Sequence, residues 1–178
     1  MKKKLAIVGV VAVIFLMAFF AVAQQDKSKR PSPPAQAAWD LGGKSVTIDY
    51  SSPRAKGRKI YGGVVPLDQV WRTGANEATT LTTPVDLNIG GTTVPAGAYT
   101  LFTIPSKDKW TLIISKKTGE WGTAYPGQAN DLARVDMKIS ALPAPVENFT
   151  IAFEKAGAAA TLNLDWESTR ASVAVSKK

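Results

Sequence analysis

The chain contains neither histidine nor cysteine. Without imidazole and thiol, a Ser-His-Asp triad and a Cys-His dyad cannot form. Zinc and copper sites lose their usual ligands. Disulfides are excluded as well, so any folded domain must be held by its core. No Asp-x-Asp-x-Asp-Gly loop is present for calcium, and no Ser-x-x-Lys motif for an acylated serine. No cofactor and no metal are expected. No ten-residue helical period occurs after the N-terminal segment, which excludes a helix bundle.

What is present begins with a leader pattern. Lys2, Lys3 and Lys4 precede an apolar run over residues 5–22, and Ala21-Val22-Ala23 supplies the small residues read by a signal peptidase. This predicts a signal peptide over residues 1–23 and a mature protein starting at Gln24 in the periplasm or outside the cell. The same run is nearly long enough to span a bilayer, so the alternative is an uncleaved inner-membrane anchor. Membrane contact is expected only through that segment. Residues 24–38, rich in Pro and Ala, read as an extended or disordered linker.

The net charge of +8 belongs mainly to the chain ends. Between Ala38 and Ser176 there are 14 basic and 13 acidic side chains, which leaves +1. A nucleic-acid surface needs a concentrated positive face, so no nucleic-acid partner is expected.

Residues 39–176 read as a single domain dominated by period-two alternation. Val46, Ile48 and Tyr50 alternate with Thr47 and Asp49. The same pattern runs through Trp110 to Ile114, Val135 to Ile139, Phe149 to Phe153, Leu162 to Trp166 and Val173 to Val175. Gly90-Gly91 marks a hairpin, and Glu167-Ser-Thr-Arg170 reads as the turn between the last two strands. The pattern predicts an all-β protein: an antiparallel β-sandwich, jelly-roll-like in one version, with one or two short helical turns at residues 66–71 and 126–132.

The polar residues concentrate in two loops, Ser52-Pro-Arg-Ala-Lys-Gly-Arg58 and Trp71-Arg-Thr-Gly-Ala-Asn-Glu77. Arg54, Arg58 and Arg72 carry planar forks suited to carboxylate, sulfate or phosphate. Trp71 and Tyr61 offer stacking faces, and Asn76 and Glu77 offer hydrogen bonds to hydroxyls. The expected ligand-binding set is Arg54, Arg58, Trp71, Arg72, Asn76 and Glu77, with no catalytic residue. The leading expectation is a non-catalytic binding or interaction module for a small anionic or carbohydrate ligand. One alternative is a hydrolase or isomerase using the Glu77 carboxylate with positioning arginines. Another is a structural protein in which Arg72 pairs with Glu77, Trp71 anchors the core, and Lys56, Arg58 and Lys59 guard a sheet edge. Trp39, Trp110, Trp121 and Trp166 read as core. The loop holding Trp121, Gly122 and Tyr125 is the second candidate site. The alternation of Asn163, Asp165 and Glu167 reads as a solvated strand face.

At these motifs the chain resembles a bacterial family without assigned activity, domain-of-unknown-function family 2911. The segments that carry the resemblance are Ser52 to Arg58, Val70-Trp-Arg-Thr-Gly-Ala-Asn-Glu-Ala78, Pro95-Ala-Gly-Ala-Tyr-Thr-Leu-Phe-Thr-Ile-Pro105, Trp121-Gly122 and Trp166-Glu167. The resemblance implies an exported, mostly-strand protein of the bacterial envelope. It supplies no catalytic residues.

Overall fold

The computed structural model describes residues 26–122 and 124–178. The expected signal peptide lies outside the described residues. The chain divides after Arg30. The described part before that point holds a 3-10 turn, Lys27–Lys29, capped by the Asp26 side chain. Everything below concerns the unit from Pro31 to Lys178. Among the described residues no helix is long and apolar enough to cross a membrane.

Nine strands build this unit: β1 (Pro34–Asp40), β2 (Ser45–Ser51), β3 (Thr80–Thr83), β4 (Leu87–Ile89), β5 (Thr92–Val94), β6 (Gly97–Pro105), β7 (Trp110–Ser115), β8 (Asp131–Ala156) and β9 (Ala159–Lys177). They form one continuous antiparallel ladder in the order β1-β2-β3-β6-β7-β8-β9-β4-β5. The all-β expectation holds. The strand β8 belongs to two layers. Its first part pairs with β7, and its remainder pairs with β9, which carries β4 and β5 beyond it.

Aromatic rings join the layers. Trp39 of β1 meets Phe153 of β8 at 6.1 Å, and Tyr50 of β2 meets the edge of Phe149 at 5.9 Å. The Tyr50 hydroxyl also accepts a hydrogen bond from the Ile151 amide at 3.1 Å. Along β2, Val46, Ile48 and Tyr50 are buried, as their alternation requires. At Gly90-Gly91 both residues have positive φ, 56° and 90°, the geometry that a two-residue hairpin turn with the sheet's own twist demands.

Two local expectations near the sheet edges differ from the structure, and one holds. Residues 34–38, read as linker, pair with β2, beginning at Pro34↔Ser51. Proline is tolerated there because it opens an edge strand and needs no ladder donor. Residues 66–71 form no helical turn. The Asp68 and Trp71 amides instead donate to the Pro105 and Thr103 carbonyls at 2.8 and 2.7 Å, so this segment runs beside β6. A 3-10 turn does form at Gln128–Asn130.

The two long strands were expected as four shorter ones. They bend rather than break. Register shifts lie between Ala141 and Val146 and between Val146 and Thr150, and Glu167 takes φ 48° in the partner strand. Nine residues of straight strand would span about 30 Å. Yet the Ser172 hydroxyl donates to the Asn163 side chain at 2.8 Å, and Arg170 holds both oxygens of Asp165 at 2.8 and 2.7 Å. The bend therefore brings the two arms of β9 together. Asn163 and Asp165, expected on a solvated face, are buried within this polar contact.

Candidate functional site

The Arg54–Arg58 loop is tied to the bend of β8. The Phe149 amide donates to the Pro53 carbonyl at 2.8 Å and the Ala55 amide to the Glu147 carbonyl at 2.9 Å, while Arg54 bridges Asn148. Lys56 and Gly57 then take positive φ, 48° and 68°, and turn the chain back. The Arg58 guanidinium follows this turn. Its Nε donates to the Ala55 carbonyl at 3.1 Å and its Nη2 to the Arg54 carbonyl at 2.6 Å. Two of its five donors are thereby used, and the head is held in one orientation.

The second loop shows why its residues occur in this order. Trp71 is buried, stacked 6.1 Å from Trp166 and edge-on to Trp110 and Phe149. Thr73 is fully buried at φ 56°, an outlier for a β-branched residue. Three hydrogen bonds hold it: its hydroxyl bonds Thr103 Oγ1 at 3.0 Å and the Trp71 carbonyl at 3.3 Å, and its own carbonyl accepts from Thr79 at 2.7 Å. Gly74 has φ 154°, and a Cβ there would sit 3.0 Å from Thr79 Oγ1 and 3.1 Å from the Ser51 carbonyl. Ala75 is buried. Most of the motif is therefore a tightly packed turn, and the large charged side chains left at its surface are Arg72 and Glu77.

These loops enclose a cleft of about 210 Å³. Trp71 and Trp166 line it, with Arg58, Arg72, Pro53 and Ser32 among the surrounding residues. The Nε of Arg72 donates to the Gly74 carbonyl at 3.3 Å. Among the described residues, neither Arg58 nor Arg72 has a carboxylate within ion-pair distance. By contrast, Arg134 and Arg170 are bound by Asp131 and Asp165, and these contacts raise both guanidinium pKa values.

The six expected site residues do not form one cluster. Arg58, Trp71 and Arg72 line the cleft. Arg54 and Asn76 turn away to hold the strap that leads into β1: Arg54 Nη1 donates to the Pro31 carbonyl at 3.4 Å, and Asn76 Nδ2 to the Ser32 carbonyl at 2.9 Å. They reach the cleft indirectly, through Ser32. Glu77 forms an antiparallel bridge with Trp121. Trp121 is 61% exposed, contrary to its reading as core. Sequence reasoning missed Trp166 and Ser32 as cleft residues, because both reach it from distant parts of the chain.

Beneath the cleft, Tyr61 donates its hydroxyl to the Trp166 carbonyl at 3.1 Å and meets Trp110 edge-on at 5.7 Å. Burial pushes the Tyr61 hydroxyl well above the ordinary tyrosine value of 10.0, and the Glu167 and Asp165 charges add to the rise. Tyr61 is thus a neutral structural donor.

A larger hollow of about 580 Å³ lies among Trp39, Asp40, Leu41, the Lys155 to Ala159 hairpin tip, Ser176 and Lys177. Its carboxylate, on Asp40, already accepts the Gly42 and Gly43 amides at 2.9 and 3.2 Å. Volume alone does not identify a site, and the smaller cleft carries the convergent polar groups. Among the described residues no group of three His, Cys, Asp or Glu side chains is placed to hold a metal.

No curated protein and no solved structure matches the chain. A family profile described as "Protein of unknown function (DUF2911)" matches residues 32–175, from the cleft's Ser32 almost to the end of β9. The two loops and the strands that position them lie inside that match, and the chain belongs to the DUF2911 family.

Proposed function

We propose that this protein is a non-catalytic binding module for a small anionic or sugar-like ligand, held in the cleft between Arg58 and Arg72. The observation that carries the reading is that Arg58 and Arg72 both line one cleft beside Trp71 and Trp166, and among the described residues neither has a carboxylate within ion-pair distance. Two like charges beside a low-dielectric wall attract an anion more strongly than either would in open water. Each guanidinium keeps donors for a bidentate contact. The cleft, about 210 Å³, is smaller than the roughly 300–1,000 Å³ of sites for drug-sized ligands. It suits one acidic group or part of one ring.

Export is part of the same reading. The lysine-led apolar segment ending in Ala21-Val22-Ala23 supports placement in the periplasm or outside the cell, where a small envelope-derived ligand would be met. Fractionation with N-terminal sequencing tests this: the exported protein should begin at Gln24, whereas an intact N-terminus in the membrane fraction indicates an anchor.

The binding claim is tested by calorimetric titration of the mature chain with inorganic phosphate, sulfate, galacturonate and galactose. The reading expects saturable binding of at least one anion, weakened tenfold or more by Arg72→Gln and by Arg58→Gln with little change in Tm. Heats that are unchanged in both variants contradict it.

A further inference from the structure

The cleft that holds Arg58 and Arg72 also has an apolar lining, and much of it comes from the turn after Lys59. Ile60 and Val65 are fully buried, and the Val65 amide donates to the Ile60 carbonyl at 2.9 Å. The Gly63 amide donates to the same carbonyl and the Val64 amide to the Lys59 carbonyl, both at 3.1 Å. A Cβ on Gly63 would overlap the Lys59 carbonyl oxygen, so the turn closes only with glycine there. The turn is thus pinned by its buried ends, yet Val64 is 37% exposed. Val64 lines the cleft, together with the half-buried Pro66 and Val70. Leu67, next to Pro66, is 40% exposed. Single exposed aliphatic side chains are ordinary. Here the large aliphatic residues left exposed, among the described residues, are these two, three positions apart on one loop of the cleft.

The polar lining is narrow in its chemistry. Ser32, Arg58 and Arg72 supply it, and among the described residues no carboxylate or carboxamide side chain lines the cleft. A guanidinium donates hydrogen bonds and accepts none. A sugar brings several hydroxyl donors that need acceptors, and burying them unpaired is costly. A bare inorganic anion suits the arginines but leaves Val64, Pro66 and Val70 in water.

We propose that the ligand is a small monocarboxylic acid with an apolar body, its carboxylate held by the arginines and its body laid against Val64, Pro66 and Val70. This rests on the anion-binding reading and narrows it. A guanidinium fork matches a carboxylate in two parallel hydrogen bonds. Each methylene removed from water strengthens binding roughly fourfold. The cleft of about 210 Å³ has room for one ring and a carboxylate, since an apolar cavity of about 150 Å³ holds benzene.

The experiment is calorimetric titration of residues 24–178 with phenylacetate, acetate, galacturonate and phenylacetamide. Phenylacetate should bind at least tenfold tighter than acetate and galacturonate, which carry the charge without the apolar body. It should also bind at least tenfold tighter than phenylacetamide, which carries the body without the charge. Val64→Ser should lower the preference for phenylacetate over acetate at least threefold, with little change in Tm. An unchanged preference in that variant overturns the placement of the apolar body. Equal affinity for phenylacetate and acetate, both weakened by Arg72→Gln, overturns the apolar-acid assignment and leaves the Arg58–Arg72 anion site standing. Phenylacetamide bound as tightly as phenylacetate, or no anion bound at all, overturns both.

Discussion

The indoles of Trp71 and Trp166 stack with centroids 6.1 Å apart and planes 20° from parallel, and both rings line the cleft beside Arg58 and Arg72. One pair of side chains therefore serves the core and borders the candidate site. The Trp166 Nε1 donates to the Glu147 carbonyl at 3.1 Å, which fixes the ring to the bend of β8. Any change to this pair alters folding as well as binding, so arginine variants are the cleaner probes of the cleft.

Trp71→Ala removes a buried ring that meets Trp110, Phe149 and Trp166. The expected cost is about 3–5 kcal/mol, a large part of the roughly 5–15 kcal/mol stability of an ordinary domain. Trp71→Phe keeps an aromatic edge and should cost roughly 1–3 kcal/mol. Urea denaturation monitored by far-UV circular dichroism measures both. A loss below about 1 kcal/mol for Trp71→Ala contradicts the core role.

Asn76 combines φ 55° with a side-chain hydrogen bond to the Ser32 carbonyl. Asn76→Gly loses that bond but accepts the left-handed backbone, whereas Asn76→Ala loses the bond and strains the turn. Alanine should therefore be the worse substitution by about 1 kcal/mol. Chemical denaturation gives the order directly. Alanine more stable than glycine would show that the turn does not set the requirement at this position.

Tyr61 provides the pH dependence. Its hydroxyl titrates above the ordinary 10.0 in the folded protein because it is buried. Below pH 10 both states are protonated, and its contribution is fully present. As pH rises past 10 the unfolded chain ionises first, so stability falls until the folded value is reached. Tyr61→Phe should cost about 0.5–1.5 kcal/mol near neutrality through the lost hydrogen bond to Trp166. It should also flatten the loss of stability above pH 10. An equally steep alkaline decline in the variant assigns that decline to other groups.

Period two made most strands legible, because side-chain alternation leaves a direct trace in residues such as Val46, Ile48 and Tyr50. The bends were not legible. A sharp change of direction inside β8 and β9 depends on register shifts and on Glu167 at positive φ, neither of which has a compositional signature. For the same reason the buried Asn163–Ser172 and Asp165–Arg170 contacts looked like an exposed polar face. At the candidate site, residue types pointed to the two loops, and Arg58, Trp71 and Arg72 do line one cleft. Arg54 and Asn76 were drawn from the same loops, yet backbone carbonyls at Pro31 and Ser32 claim them. A sequence shows which donors are present and not which acceptors lie within reach. Trp121 illustrates the converse: tryptophan is usually buried, and only the pairing of residues 120–122 with 76–78 fixes it at the surface.

The most direct test follows the arginine Nε–Hε resonances of residues 24–178 during titration with galacturonate and with inorganic phosphate. Arg134 and Arg170, held by Asp131 and Asp165, serve as internal controls. The account predicts saturable shifts at Arg58 and Arg72 with a common dissociation constant, and still resonances at both controls. Silent Arg58 and Arg72 signals, or equal movement of all four, would contradict it.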